Sequence, residues 1–160
     1  MNVQELLAEV ATAPVVKRAI TNHDALNEAY DYGSAFSRGM RIDLNGLTIL
    51  LISGTASIDD AGRTVHAGDL RKQLRRTFEN ISKLLASEGA TWHDIVRTTC
   101  YLRDIERDYQ AFNEERTDFY REHKLDPLPA STGIQAILCR PDLLVEIEAI
   151  AMFRRESSEE

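Results

Sequence analysis

Two acids stand two residues apart inside an otherwise apolar run, LLVEIEAIAMF at positions 143–153: Glu146 and Glu148. Side chains in a strand alternate with period two, so both carboxylates fall on one face, roughly 7 Å apart along the chain. Desolvation raises the pKa of an unpaired carboxylate in a half-dry row, which suits it to give or accept a proton. No comparable pattern exists elsewhere. His23, His66, His93 and His123 are scattered, as are Cys100 and Cys139, without metal-ligand spacing, a CxxC pair or a disulfide framework. The expectation is a site without metal or cofactor, with both cysteines as small core residues. Ser131 has no neighbouring base and no GxSxG context, which argues against a nucleophilic serine. Arg140 reads as a solvated turn residue, with reach into a neighbouring cleft as the alternative, and Arg71, Arg75 and Arg76 read as a solvated helix face.

The chain has 160 residues, 43% of them hydrophobic, enough for one domain with its own core. A net charge of −7, with no strip of interleaved aromatic and basic residues, argues against a nucleic-acid partner. No apolar run has the length of a membrane helix. The start, MNVQELLAEVATAP, carries acids where a signal peptide needs a basic region and an apolar centre. These features predict a soluble cytoplasmic protein with no membrane partner.

The elements that would position the acids follow from periodicity. Residues 3–11 suggest a short helix and TAPVVKRAI a short strand. FSRGMRIDLNGLTILLISG reads as two strands about a tight Asn45-Gly46 turn, with a further short strand at Arg63–His66. Asp69 can cap a helix carrying Leu70, Leu74, Phe78, Ile81, Leu84 and Leu85 on one stripe and stopping at Gly89. DIVRTTCYL alternates as a strand, with Val96, Thr98, Cys100 and Leu102 on one side. A second helix over about 106–123 places Tyr109, Phe112, Arg116, Phe119 and Tyr120 on one face, and KLDPLPA ends it. STGIQAIL and LLVEIEAIAMF then read as two strands joined through Cys139-Arg140-Pro141-Asp142. This order predicts an α+β fold: one mixed sheet with two helices on one face. The opposite face, carrying Leu144, Ile150 and Met152 beside the glutamates, is too apolar for water and calls for oligomerisation.

From Phe36 to Phe153 the chain resembles the RidA family, also called YjgF. The resemblance rests on ISG at 52–54; on Gly68-Asp69, Gln73 and Asn80; and on GATWHDIVRTTCYLRD at 89–104. It continues through AFN at 111–113, PA at 129–130 and EIEAIA at 146–151. It implies a chorismate-mutase-like fold assembled as a homotrimer, with the sheets forming a central barrel and the ligand clefts lying between subunits. Residues 1–35 would be a partly helical N-terminal extension, 36–155 the RidA-like domain and 156–160 a disordered tail.

The resemblance further implies hydrolysis of an enamine or imine, such as 2-aminoacrylate, to a keto acid and ammonia. Glu146 stands at the family's water-holding glutamate, which leaves Glu148 as a structural neighbour, a partner for a backbone amide or a basic group at the subunit interface. Ser53 and Asn113 stand at substrate-binding positions, although Ser53 also reads as a strand-end hydrogen-bonder and Asn113 as a helix–loop tether. Three positions depart from the pattern. Ser131 replaces the arginine that would clamp the substrate carboxylate, Gly133 a cysteine, and Phe36 a tyrosine. SGTASI, His66-x-Gly68-Asp69 and CRPDLLVEIE resemble, in addition, the C-terminal half of chorismatases, which use a glutamate near the chain end as an acid. The expected partner is therefore a small carboxylated molecule, three-carbon or cyclic. The alternatives are a non-catalytic ligand-binding trimer and chorismatase-like chemistry.

Overall fold

The sheet is built around its longest strands, and the local chemistry explains each boundary. In the computed structural model, residues 2–21 and 33–154 are described; His23 and the tail at 156–160 lie outside them. The elements are helix α1 (Val3–Thr12) and strands β1 (Val16–Ala19), β2 (Gly39–Leu44) and β3 (Leu47–Ala56), then helix α2 (Leu70–Ser87) and strand β4 (Ile95–Leu102). Helix α3 (Ile105–Glu122) and strands β5 (Ala130–Gln135) and β6 (Val145–Arg154) complete them. The strands form one mixed sheet in the order β1-β2-β3-β6-β4-β5, antiparallel except for the β4–β5 pair.

Asn45 and Gly46 both adopt positive φ, +48° and +77°, as a tight hairpin turn between β2 and β3 requires. Asp69 caps α2 by accepting from the Lys72 amide. Gly89, at φ +70°, ends it: the Gly89 amide donates to Ala86 and the Ala90 amide to Leu85, closing a Schellman turn.

Leu74, Phe78, Ile81, Leu84 and Leu85 of α2 and Phe112, Phe119 and Tyr120 of α3 share one core with Leu50, Cys100, Leu102, Val145 and Ile147 of the sheet. Both helices therefore cover the same face. Phe78 stacks on Phe119 at 4.4 Å between ring centroids. The opposite face is apolar and open. On it Leu51 stands across from Met40 and Ile150, and Ile49 across from Ile42 and Met152.

Several expectations are corrected. Arg63–His66 makes only an isolated bridge, Thr64 to Ile58. In β4 a register shift between Ile95 and Arg97 breaks the alternation, so Ile95 is buried and Val96 faces outward. The two final strands are both present, and the sheet order adds what the sequence left open: β4 lies between β5 and β6. Tyr109 is exposed rather than part of the buried face of α3. The basic cluster of α2 is no solvated face. Arg71 pairs with Glu114, Arg75 with Glu115 and Glu122, and Arg76 donates to the Ile58 carbonyl, tying α2 to α3 and to the end of β3.

The start of the chain also joins the fold. β1 adds an edge strand to β2, and Ile20 is fully buried. Arg18 makes a two-pronged bond to the buried Glu88 at the end of α2, and Arg41 reaches the same carboxylate at 3.1 Å. Among the described residues no helix is long and apolar enough to cross a membrane.

Candidate active site

Glu146 enters its cleft because of an irregularity in the neighbouring strand. Along β3 and β6 the pairing runs Ile52 to Ala149 and then Thr55 to Ile147, so β3 carries one extra residue at Ser53-Gly54. This bulge puts Ala56 opposite Glu146 and leaves Gly54 beneath the carboxylate. A β-carbon on Gly54 would lie 2.0 Å from Glu146 Oε1. Only glycine leaves that space.

The bulge also anchors the chain entering β2. Ser53 Oγ donates to the Ser37 carbonyl at 2.7 Å, and the Ser53 amide donates to the Arg38 carbonyl at 3.1 Å. Ser53 is thus the strand-end hydrogen-bonder that its position suggests. Phe36 is held beside it, with the Arg38 guanidinium 5.3 Å from its ring centroid. Together these residues border a cleft of about 480 Å³ lined by Phe36, Arg38, Ser53, Gly54, Arg140 and Glu146.

Among the described residues the Glu146 carboxylate meets no hydrogen-bond donor. Burial, and secondarily the charge of Glu148, push its pKa above the ordinary carboxylate range. Glu148 is exposed and, within the chain, accepts from the Tyr101 hydroxyl at 3.2 Å. Burial first, then Glu148, pushes the Tyr101 phenol up in turn.

The loop leading into β6 is held from two sides. Gln73, fully buried on α2, donates to the Asp142 and His66 carbonyls and accepts from the Leu144 amide. Arg103 donates to the carbonyls of Leu143 and Arg140. Arg140 itself donates to the Gly62 carbonyl at 2.8 Å and to Thr64 Oγ1 at 3.3 Å, so it is a built-in cleft residue, not a solvated turn arginine. Asn80 donates to the carbonyls of Ala56 and Ile58, fixing the far end of β3.

Ser131, Gly133 and Asn113 lie elsewhere in the chain. Ser131 and Gly133 stand on β5 opposite Thr98 and Cys100 of β4. Ser131 accepts from Thr98 Oγ1 and from Arg116, and nothing lies within 4 Å of where a Gly133 side chain would begin. Asn113 bonds to the Tyr109 carbonyl of its own helix and to Arg116, so it is not a helix–loop tether. The six candidates therefore form two groups: Phe36, Ser53 and Glu146 in one cleft, and Asn113, Ser131 and Gly133 around β5. Cys100 is buried, and desolvation raises its thiol pKa, consistent with a core residue, whereas Cys139, expected in the core as well, is exposed in the loop before β6.

Residues 26–153 match the model of the Endoribonuclease L-PSP family. The chain belongs to this family, that of the RidA and YjgF proteins. Similar relatives include a RutC family protein of Pyrococcus abyssi, 32% identical over 102 residues, 64% of this chain and 76% of the relative. The 3-aminoacrylate deaminase RutC of Acinetobacter baylyi is 32% identical over 103 residues, covering 64% of this chain and 78% of the relative. Among solved structures, the E. coli YjgF gene product superposes with a TM-score of 0.70 at 25% identity, over 86% of this chain and 99% of its own. The family's Gly68-Asp69, Gln73 and Asn80 pattern acquires a physical meaning in this RidA/YjgF chain. It caps α2, holds the loop before Glu146 and fixes the end of β3. Gln73 and Arg103 stand in the sequence only as members of family motifs; their role as positioning residues is not legible there, because the Asp142 and Leu143 carbonyls they hold lie 69 and 40 residues away.

Proposed function

We propose that the protein hydrolyses a small carboxylated enamine or imine to a carbonyl compound and ammonia, with Glu146 as the proton-transferring and water-holding residue. The observation that carries this reading is the unpartnered, half-buried Glu146 carboxylate over the Ser53-Gly54 bulge, with its pKa raised by burial. The naming of the Acinetobacter relative as a 3-aminoacrylate deaminase supports the same chemistry. An enamine first takes a proton on carbon to become an iminium. Water then bonds to the electrophilic carbon as Glu146 accepts one of its protons. Returning that proton to nitrogen lets the C–N bond break; ammonia leaves as the carbinol hydroxyl gives its proton to solvent and the carbonyl forms, which repays the proton that solvent supplied to carbon. Glu146 ends as it began.

A homotrimer accounts for the separation of the two residue groups. The open apolar face around Leu51, Ile49, Ile150 and Met152 supports close packing of sheets from several copies. In that assembly the Glu146 cleft of one copy would face the β5 group of another, and the site would be intersubunit. The test is hydrolysis of 2-iminopropionate generated in situ. Turnover by the wild type, abolished by Glu146→Gln, supports the reading; no turnover by the wild type overturns it.

A second reading is favoured by Ser131, which replaces the expected carboxylate clamp: the cleft binds a carboxylated, cyclic ligand without turning it over, or rearranges it as chorismatases do. Incubation with chorismate separates these outcomes. Recovery of unchanged chorismate together with a raised Tm supports binding alone, whereas its consumption, abolished by Glu146→Gln, supports chorismatase-like chemistry.

A further inference from the structure

We infer that Arg116 is the anion-holding residue of this protein, at a cleft that accepts a carboxylate with an apolar or aromatic body. α3 carries three arginines, and two of them are paired: Arg107 with Asp108 and Arg121 with Asp118. Arg116 is different. Its Nη1 donates to Ser131 Oγ at 3.0 Å and its Nη2 to Asn113 Oδ1 at 2.7 Å, and it lies 4.8 Å over the ring of Phe112. All of these are neutral groups, and among the described residues the guanidinium meets no carboxylate. A guanidinium has five N–H donors in a planar fork matched to carboxylate geometry, so donors remain for a ligand.

The setting supplies the rest of a binding site. Arg116 and Ser131 border a cleft of about 620 Å³ whose other walls include Tyr120, Leu125, Leu128 and Pro129. Burial pushes the Tyr120 phenol up to about 12, so it stays neutral there. Leu128 is 65% exposed at the rim, apolar surface that a ligand body would cover. Lys124 also lines the cleft, but Asp126 lines it too and Arg121 is neutralised by Asp118, so Arg116 is the guanidinium left for an anion. Because Ser131 is short and its hydroxyl is oriented by Thr98, it can serve as a rest for the guanidinium of the neighbouring helix. The arrangement thus supplies from α3 a fork that β5 lacks, with more room than a three-carbon acid fills.

This inference deepens the deaminase reading and rests on it for the use of the cleft in turnover, but binding can be measured separately. The probe is phenylpyruvate, with pyruvate as the small counterpart, titrated calorimetrically. Phenylpyruvate should bind more tightly than pyruvate. Arg116→Gln should weaken its binding by about tenfold or more, since a charge-assisted pair is lost. Arg116→Lys should recover part of the loss, and Lys83→Gln, which touches only the surface pair with Asp60, should leave affinity unchanged. Circular dichroism establishes that the variants are folded. Undetectable phenylpyruvate binding by the wild type, or wild-type affinity in folded Arg116→Gln, overturns the inference. If 2-iminopropionate turnover depends on Glu146 while phenylpyruvate binding ignores Arg116, the inference fails and the deaminase reading stands. If binding depends on Arg116 and no imine is hydrolysed, the reverse holds.

Discussion

Glu146 lies over Gly54 so closely that a single methyl group at position 54 would meet its Oε1 at 2.0 Å. The acid of one strand is thus placed by an absent side chain on the next. The clash is with the end of a flexible side chain, so the carboxylate can move aside while the backbone stays. Gly54→Ala should therefore lower imine-hydrolysing activity by about tenfold or more, because misplacing a reacting group by an ångström is enough for that. The thermal midpoint should move by only about 2–4 °C, the shift that goes with ~1 kcal/mol in a chain of this size. Kinetics and a melting curve on one variant check both halves.

The raised pKa of Glu146 makes a prediction about stability. Its folded-state value lies above its unfolded one, so between the two the native state binds more protons and stability falls as pH rises. Above the folded value the ionised, half-buried carboxylate disfavours the native state. Glu146→Gln should consequently raise the Tm at pH 7–8, and this gain should vanish below the ordinary carboxylate range. Melting curves of wild type and variant across pH 3–8 test it; a gain independent of pH would show that the charge is not responsible.

Gln73 holds the loop before β6 with three hydrogen bonds from a fully buried side chain. Gln73→Ala leaves two carbonyls and an amide without this partner, at a cost of about 3 kcal/mol. The midpoint should fall by roughly 6–12 °C. Hydrogen exchange should report faster exchange of the Leu144 amide, while β2 stays protected.

The proposed homotrimer, which would cover the open sheet face, makes a prediction about mass. Light scattering should find a particle three times the 18.1 kDa chain. Leu51→Glu, on the face beside Met40 and Ile150, should dissociate it, since a buried unpaired charge is strongly unfavourable at an apolar interface. A wild-type monomer would remove the intersubunit site from the proposed function.

Much of this was legible in the chain. The Asn45-Gly46 turn, the Asp69 cap and the Gly89 stop are local devices whose residues lie within a few positions of the structure they specify, and all three are present. The stripe on α2 and the alternation in β6 follow from fixed periods, so their buried faces could be read directly. Val96 could not be read, because the register shift that turns it outward depends on the partner strand. The arginines of α2 looked solvated for a similar reason: their carboxylates sit on α3, more than thirty residues away.

The sequence by itself determined the α+β order of elements, the face of β6 that carries the acids, and the identity of Glu146 as the residue to examine. Tertiary structure decided the rest. It placed β4 between β5 and β6 and so put Ser131 and Glu146 in separate clefts. It brought Arg116 of a helix to Ser131 of an edge strand. Periodicity acts within an element, over a few residues, whereas strand order and side-chain encounters are settled by how whole elements bury their apolar faces together.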